Sequence, residues 1–564
     1  MKKEIASLIK EKLKSITDID INEEELISKI ETPPNKELGD FAFPCFFVAK
    51  RVSMDPHTLA LKLKELLSAV GEFEDVKVVG SYLNLFVNKV NFTKKVLSEI
   101  DQNLSAISFN AGKRIVIEFP SPNTNKPLHL GHLRNMAIGE SLARISESNG
   151  NKVFRVNLFN DRGIHICKSM LAYKEFGENK EPDKKPDHFV GDYYIKFNEL
   201  AKENDDYNKK AQEMLLQWEN GDEEVRSLWK KMNAWAYQGL KQTFELFGVK
   251  HDKYYYESEI FSHAKELVLE GLKSGLFKKR VDGAVVMDLT EDGLEEKVLL
   301  RPDGTTVYMT QDLYLMKLKD ADYSPDNSIY IVGNEQDYHF KVMFLILKKM
   351  GWKQQLKHLS YGIVALPEGR MKSREGNVVN ADDLIETVTR LADKESVDRN
   401  KNIDGDELEH RSRKIALAAI KYTLLKPNIF NDMVFDPKKS ISFDGDTGPY
   451  LLYSYARASS ILKKVETESK NQPKDIKKID DSEHELVKKI SNFHEIMKRA
   501  ADELNPSIVA HYSYDLAQTF NEFYHACPVI NSDNEDIRIK LVEAFRVVLR
   551  KSLYLLGIDV LEKM

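Results

Sequence analysis

The sequence predicts an α/β protein built on a doubly wound parallel sheet, with a helical insertion in that sheet, a small α/β domain ahead of it and an all-α bundle behind it. Three features carry the prediction. From Arg114 to Phe159 a buried-type strand, an amphipathic helix and a second buried-type strand follow at the spacing of a βαβ unit, whose strands are parallel neighbours. Apolar strand-like runs return at Ser328 only after a charged, helix-rich stretch. Beyond Asp406 helical periodicity stands alone. A chain of 564 residues also exceeds what one hydrophobic core serves, so several separately packed domains are expected.

The elements follow in order. Helical periodicity covers Lys2 to Ile16 and Pro56 to Val70, Val76 to Val87 is β-rich, and the polar segment Gln102 to Gly112 closes a first domain at 1–110. The second domain spans 111–405. Its first strand, Arg114-Ile-Val-Ile-Glu-Phe119, cannot continue through Pro120-Ser-Pro122, and its first helix, Leu130 to Ser148, meets the terminator Asn149-Gly150 before strand Lys152 to Phe159. Residues from about 170 to 300 read as the insertion, with short β pieces near Gly283–Leu289 and Glu296–Leu300. The sheet resumes at Ser328–Val332 and Leu359–Leu366, with helix Tyr338–Met350 between them. The third domain, 406–564, is read as helices Arg411–Leu425, Pro449–Val465, Ser482–Leu504, Pro506–Ala526 and Asn534–Leu556.

Composition excludes several classes. With 42% hydrophobic and 30% charged residues and no low-complexity tract, the chain is globular. No run is long and apolar enough to span a bilayer, and Met1 opens charged amphipathic sequence without a signal-peptide pattern, so a cytoplasmic location is expected. Cys45, Cys167 and Cys527 are far apart and lack metal-ligand spacing, which predicts buried thiols and no structural zinc. A net charge of −6 argues against indiscriminate nucleic-acid coating but leaves room for a local basic face, for which Arg411-Ser-Arg413-Lys414, Lys438-Lys439 and Lys474 to Lys478 are candidates.

The chemistry concentrates at strand ends. His129 and His132, three apart at a helix entrance beyond a strand's carboxyl end, aim two imidazoles at the place where helix N-termini collect phosphates, and Gly131 between them lets a planar base approach the backbone. A loop from Pro367 to Asn377, dense in cation and glycine, follows another strand of the same sheet. Glu118 ends the first strand, and Tyr308 and Asp312, four apart, share a helix face. Taken singly, each feature also fits a bland role: helix histidines, a solvated loop, turn and cap groups, an exposed Tyr/Asp pair.

Taken together they resemble a known family. Glu118-Phe-Pro-Ser-Pro-Asn123-Thr-Asn-Lys126-Pro-Leu-His129-Leu-Gly131-His132-Leu-Arg-Asn135 is similar to the arginyl-tRNA synthetase form of the class I "HIGH" signature. Arg370-Met371-Lys372-Ser373-Arg374 resembles the "KMSKS" loop, though its cations stand at other positions, and Gly448 to Arg457 resembles the start of the family's anticodon-binding domain. The resemblance implies a class I Rossmann-type domain that binds ATP with Mg²⁺ through His129, Gly131, His132, Gly333, His339, Met371, Lys372 and Ser373. Lys126, Lys372 and Arg374 would share the catalytic charge with the two histidines. Arginine's side chain would be read by Glu118, Tyr308 and Asp312 and its amino-acid end by Asn123 and Gln336, with no protein-bound metal. It also implies L-arginine and tRNA(Arg) as partners, transfer to a 2′-hydroxyl after tRNA-dependent adenylate formation, and an N-terminal domain that touches the tRNA; a monomer is expected. Asn160-Asp-Arg-Gly-Ile-His165 resembles a family motif without an assignable chemistry. Tyr450, Tyr453, Tyr455, Tyr512, Phe523 and Tyr524 are candidate stacking platforms for anticodon bases, most of them expected in the core. A small-molecule nucleotidylyltransferase shares H-x-G-H but lacks the helical module; a catalytically dead RNA-binding relative is opposed by intact His129, Gly131, His132, Lys126 and Asp312.

Overall fold

The structure, a computed structural model, describes residues 1–103, 112–367, 379–399, 405–468 and 478–564. The chain forms two compact units: 1–106 with 458–494 and 515–548, and 107–457 with 495–514 and 549–564. Among the described residues no helix is long and apolar enough to cross a membrane.

In the first unit β1 (Phe41–Pro44), β2 (Phe73–Val79) and β3 (Tyr82–Val87) form an antiparallel sheet of order β1-β3-β2. Helices Lys2–Lys14 and Pro56–Ser68 are where the periodicity predicts them. The second starts on Asp55, which caps the Thr58 N–H, with Pro56 at a first-turn position that needs no donor. Helix Asp481–Ser491 joins this unit through His484, which bonds Asp40 at 2.9 Å, and Lys488 reaches the same carboxylate at 3.1 Å. Residues 482–504, expected as one helix, are two: Asp481–Ser491 and Phe493–Asp502. Strand β1 and helix Lys89–Asn103 escaped prediction, the first because four residues carry no period.

The second unit is organised by a five-stranded parallel sheet. Its strands are β4 (Arg114–Glu118), β5 (Lys152–Phe159), β6 (Lys253–Tyr256), β10 (Asn327–Gly333) and β11 (Gln355–Tyr361), in the order β11-β10-β4-β5-β6. Between β6 and β10 lies a separate antiparallel sheet of β7 (Lys278–Lys279), β8 (Val285–Met287) and β9 (Lys297–Leu300). The doubly wound architecture is therefore as predicted. The chain leaves β4 to one side for β5 and later returns on the other side as β10, so the crevice beyond the carboxyl ends of β4 and β10 is a topological switch point, where ligands bind in such sheets.

Four helices, Ile164–Phe176, Pro186–Glu203, Asp206–Glu219 and Glu223–Leu246, form the insertion between β5 and β6, around a core that includes Met170, Phe189, Phe197, Trp218 and Trp235. One feature of the predicted insertion differs: Lys253–Tyr256 rejoins the main sheet, pairing parallel to β5 from Val156↔Lys253 to Phe159↔Tyr256. Lys-Tyr-Tyr-Tyr at a sheet edge is too short and too polar to read as a buried strand. Helix Leu130–Ser148 has the predicted bounds and ends on Asn149 with Gly150 at φ 87°. Its Arg134 is wholly buried and donates to the carbonyls of Gly362 (2.6 Å), Asn431 (3.0 Å) and Ile429 (3.3 Å). Helix Ala381–Arg399 was not foreseen. The C-terminal part of the chain is helical: Gly405–Leu425, Gly448–Glu468, Asp481–Ser491, Phe493–Asp502, Ser507–Ala526 and Glu535–Leu555. The three cysteines are buried free thiols, as expected.

Candidate active site

At the switch point His129 caps helix Leu130–Ser148. Its Nδ1 accepts the Gly131 N–H at 3.1 Å, and His132 Nδ1 accepts the His129 N–H at 3.1 Å, leaving the ring centroids 3.9 Å apart. An Nδ1 that accepts carries no proton, so in each neutral ring the N–H is on Nε2 and available to a ligand. Burial, reinforced by the charge of Lys126, pushes the pKa of His129 down to about 4. Burial, His129 and Lys126 together push His132 well below the ordinary value. The site thus offers neutral, pre-oriented donors at a helix N-terminus, while nearby positive charge comes from Lys126, half-buried beside them. The backbone after the signature loop meets the same place: Ala381 N–H donates to Leu128 C=O at 2.9 Å, and Asn380 bridges His129. Met371, Lys372, Ser373 and Arg374 lie outside the described residues.

Across the crevice the candidate arginine readers occupy a different electrostatic setting. Glu118 is buried; one oxygen pairs with the buried Lys319 ammonium and the other accepts Ser121 Oγ–H at 3.2 Å. Asp312 Oδ2 is 2.6 Å from His339 Nε2, so a predicted arginine reader and a predicted adenosine-site residue are direct partners. Burial drives the Asp312 carboxyl above its ordinary value, against the pull of His339. Tyr308, 55% exposed, leads the same helix, Tyr308–Tyr323, with its ring edge-on to His339; its hydroxyl donates to Asn160 Oδ1 at 3.3 Å. Asn123 is exposed, and its backbone bridges that of Asn160. Gln336 is exposed on the turn after β10; the space beside Gly333 is taken by the Glu335 carboxylate.

A cleft of about 640 Å³ carries Asn123, Asn160 and Tyr308 in its wall together with Arg162, Glu257 and Gln311. Glu118, Asp312 and Gln336 are not among its lining residues. Arg162 packs on the Phe261 ring at 3.6 Å, pairs with Glu219 and lies 3.7 Å from Glu257. With its amide oriented to satisfy both neighbours, Gln311 donates to Glu257 at 2.9 Å and accepts from Arg162 at 3.2 Å. Burial pushes the Glu257 carboxyl up to about 8 despite Arg162, with Asp161 and Asp312 adding to the rise.

The unassigned motif after β5 acquires a role here. Asp161, fully buried, accepts Ser258 N–H (2.8 Å), Ser258 Oγ–H (2.7 Å) and Tyr237 Oη–H (2.6 Å), while its carbonyl accepts Trp229 Nε1–H at 2.6 Å. It ties the end of β5 to two helices that follow it. Sequence reasoning missed Lys319 and Glu257, for which the usable signal was a charged residue at a buried position of its helix, and it singled out the motif of Asp161 without assigning it a chemistry.

Of the six candidate stacking aromatics, Tyr455, Tyr512 and Phe523 are buried and Tyr450, Tyr453 and Tyr524 keep open ring area. Arg411 and Arg413 are paired with Glu407 and Glu409 one helical turn back, and Lys474 and Lys477 lie outside the described residues.

Comparison with known proteins adds three findings. Residues 94–437 match "tRNA synthetases class I (R), catalytic domain", 451–564 the "DALR anticodon binding domain", and 3–87 the "Arginyl tRNA synthetase N terminal domain". The chain is 45% identical to the arginine–tRNA ligase of Treponema denticola over 95% of this chain and 94% of that one. It is 40% identical to that of Borrelia hermsii over 100% and 99%. Among solved structures, Thermus thermophilus arginyl-tRNA synthetase matches with a TM-score of 0.84 and 25% identity, each chain covered in full. That of Plasmodium falciparum matches in fold with a TM-score of 0.78 at 22% identity over 100% and 99%.

Proposed function

Because the chain belongs to the class I arginyl-tRNA synthetase family, we propose that it joins L-arginine to tRNA(Arg) in an ATP-dependent reaction by way of arginyl-adenylate. A carboxylate oxygen of arginine attacks the α-phosphorus in line; the bond from that phosphorus to the bridging oxygen breaks, and pyrophosphate leaves with the electron pair. A ribose hydroxyl of the tRNA's terminal adenosine then attacks the activated carbonyl and AMP leaves. No side-chain nucleophile takes part, so catalysis is positioning and charge stabilisation.

The observation that carries the reading is the pair of neutral imidazoles on one helix N-terminus, whose Nε2–H donors have no partner among the described residues and suit an α-phosphate whose charge grows in the transition state. In this reading Lys126, Lys372 and Arg374 balance the phosphate charge, and Mg²⁺ enters as the counter-ion of the nucleotide. Gly131 lies under the base, and Gly333 and His339 face the ribose, with Met371 and Ser373 in the same nucleotide site. Tyr308, Asp312 and Glu118 face the guanidinium; Asn123 and Gln336 hold the amino-acid end. Residues 1–110 contact tRNA, 111–405 catalyse and 406–564 read the anticodon, in a cytoplasmic monomer.

The test is ATP–pyrophosphate exchange with arginine and a panel of other amino acids, with and without tRNA. Exchange specific to arginine is expected; exchange supported by another amino acid, or none with arginine and tRNA together, overturns the proposal.

A further inference from the structure

A cluster of charge outside the reacting groups joins the helical insertion to the phosphate end of the site. Asp382, at the start of helix Ala381–Arg399, accepts from His188 Nε2 at 2.9 Å and Thr243 Oγ1 at 3.1 Å, and lies 3.1 Å from Lys185 Nζ. Lys185 also donates to Asp187 at 2.8 and 2.9 Å and to Thr243 at 2.7 Å. Asp187 is 1% exposed and Thr243 fully buried, so Lys185 supplies the cation that this carboxylate pair requires. Gly239 leaves room for the cluster: a Cβ there would fall 2.2 Å from the Asp187 carboxylate.

Both ends of this cluster reach the phosphate segment. One residue before Asp382, the Ala381 N–H is bonded to Leu128 C=O, and Asn380 bridges His129. One turn beyond His188, Gly191 lies against Pro127 so closely that a Cβ would be 2.7 Å from its ring and 3.6 Å from Lys126 Cα. Helix Pro186–Glu203 therefore grips the segment 126–129 directly through Gly191 and again through Asp382.

We propose that Asp382, clamped by Lys185 and His188, is a positioning residue for ATP. It sets the backbone at Asn380 and Ala381 against Leu128 and His129, so that the helical insertion fixes the geometry of the phosphate site. This rests on the assignment of His129 and His132 to the phosphates. It differs from a generic stabilising ion pair in what it governs: the cluster touches no substrate and leaves Tyr308 and Asp312 alone, so its loss falls on ATP and on the chemical step rather than on arginine.

The test is arginine-dependent ATP–pyrophosphate exchange on the full chain, with tRNA present, for Asp382→Asn, His188→Ala and His188→Gln, alongside His129→Ala and thermal melting of each. Asp382→Asn and His188→Ala are expected to lower kcat by ~10–100-fold, the range a misplacement of about 1 Å produces, and to raise the KM for ATP while the KM for arginine and the melting temperature hold. His188→Gln, which keeps a donor toward Asp382, recovers most of the loss. If His129→Ala is impaired and the clamp variants are not, the clamp is overturned and the phosphate assignment stands. If His129→Ala is unimpaired, the phosphate assignment falls and the clamp with it. Equal loss toward both substrates with a lowered melting temperature reduces the cluster to a structural ion pair and overturns its positioning role.

Discussion

At the end of the crevice assigned to the phosphates, His129 and His132 are uncharged and take their orientation from backbone N–H groups. Among the residues proposed to read arginine, Glu118 and Asp312 are carboxyls already engaged, by Lys319 and His339 respectively. The difference follows from what each ligand brings. A triphosphate carries its own dense charge, and rigid neutral dipoles meet it at a helix N-terminus without burying an unpaired cation. A guanidinium brings one positive charge, and buried carboxylates that wait for it need interim partners, because an isolated buried charge is costly. On the proposed assignment, arginine binding is an exchange of partners, whereas the two imidazoles are oriented before their ligand arrives.

The sharpest way to break this contrast is at Lys319. Replacing it by Met leaves Glu118 buried without its cation, which costs about 3–5 kcal/mol when one partner of a buried pair is removed. Urea unfolding is expected to register that loss, and Lys319→Met/Glu118→Gln should restore most of it. Equal destabilisation in both variants would mean the lysine packs rather than neutralises.

Asp312→Asn is the next largest effect. The substitution keeps the shape and an acceptor for His339 but removes the charge offered to the guanidinium, a hydrogen bond to a charged group worth about 1.5–3 kcal/mol, hence ~10–150-fold in the KM for arginine. The KM for ATP should be little changed. Parallel loss for both substrates would shift Asp312 into the nucleotide site that His339 was expected to line, and the two ends of the crevice would cease to be separate.

What the sequence disclosed, and what it withheld, follows the same division. The βαβ core was legible to the residue at helix Leu130–Ser148 because its apolar period and the terminator Asn149-Gly150 agree. His129 and His132 could be placed together because a spacing of three on a helix is a spatial statement by itself. Lys319 could not be matched to Glu118, 201 residues away, because that pairing is made by tertiary packing across β4 and helix Tyr308–Tyr323. The same holds for Asp161 with Tyr237 and Ser258, and for His188 with Asp382: each half reads as an ordinary polar residue until the fold supplies the other half. Strand β6 was hidden differently, since a four-residue edge strand needs only one covered face and leaves no run of apolar residues to read.

The smallest predicted effect tests the neutrality of the phosphate end. In the unfolded chain His129 titrates near its ordinary value of about 6.5, whereas in the folded protein burial and Lys126 hold it at about 4. Between those values the unfolded state binds more protons, so stability rises with pH through this window: the contribution is fully present above about 6.5 and is lost as pH falls toward 4. His251, held near 4 by burial, acts in the same direction, so the informative quantity is a difference between variants. His129→Asn keeps a cap acceptor and removes the titrating ring. Urea midpoints measured from pH 7 to pH 5 should therefore fall less steeply for this variant than for the unaltered protein. Identical slopes would mean that His129 keeps its ordinary pKa in the folded state and takes up a proton as pH falls through about 6.5. The phosphate end would then gain charge in mildly acidic solution, and its contrast with the paired carboxyls of Glu118 and Asp312 would weaken.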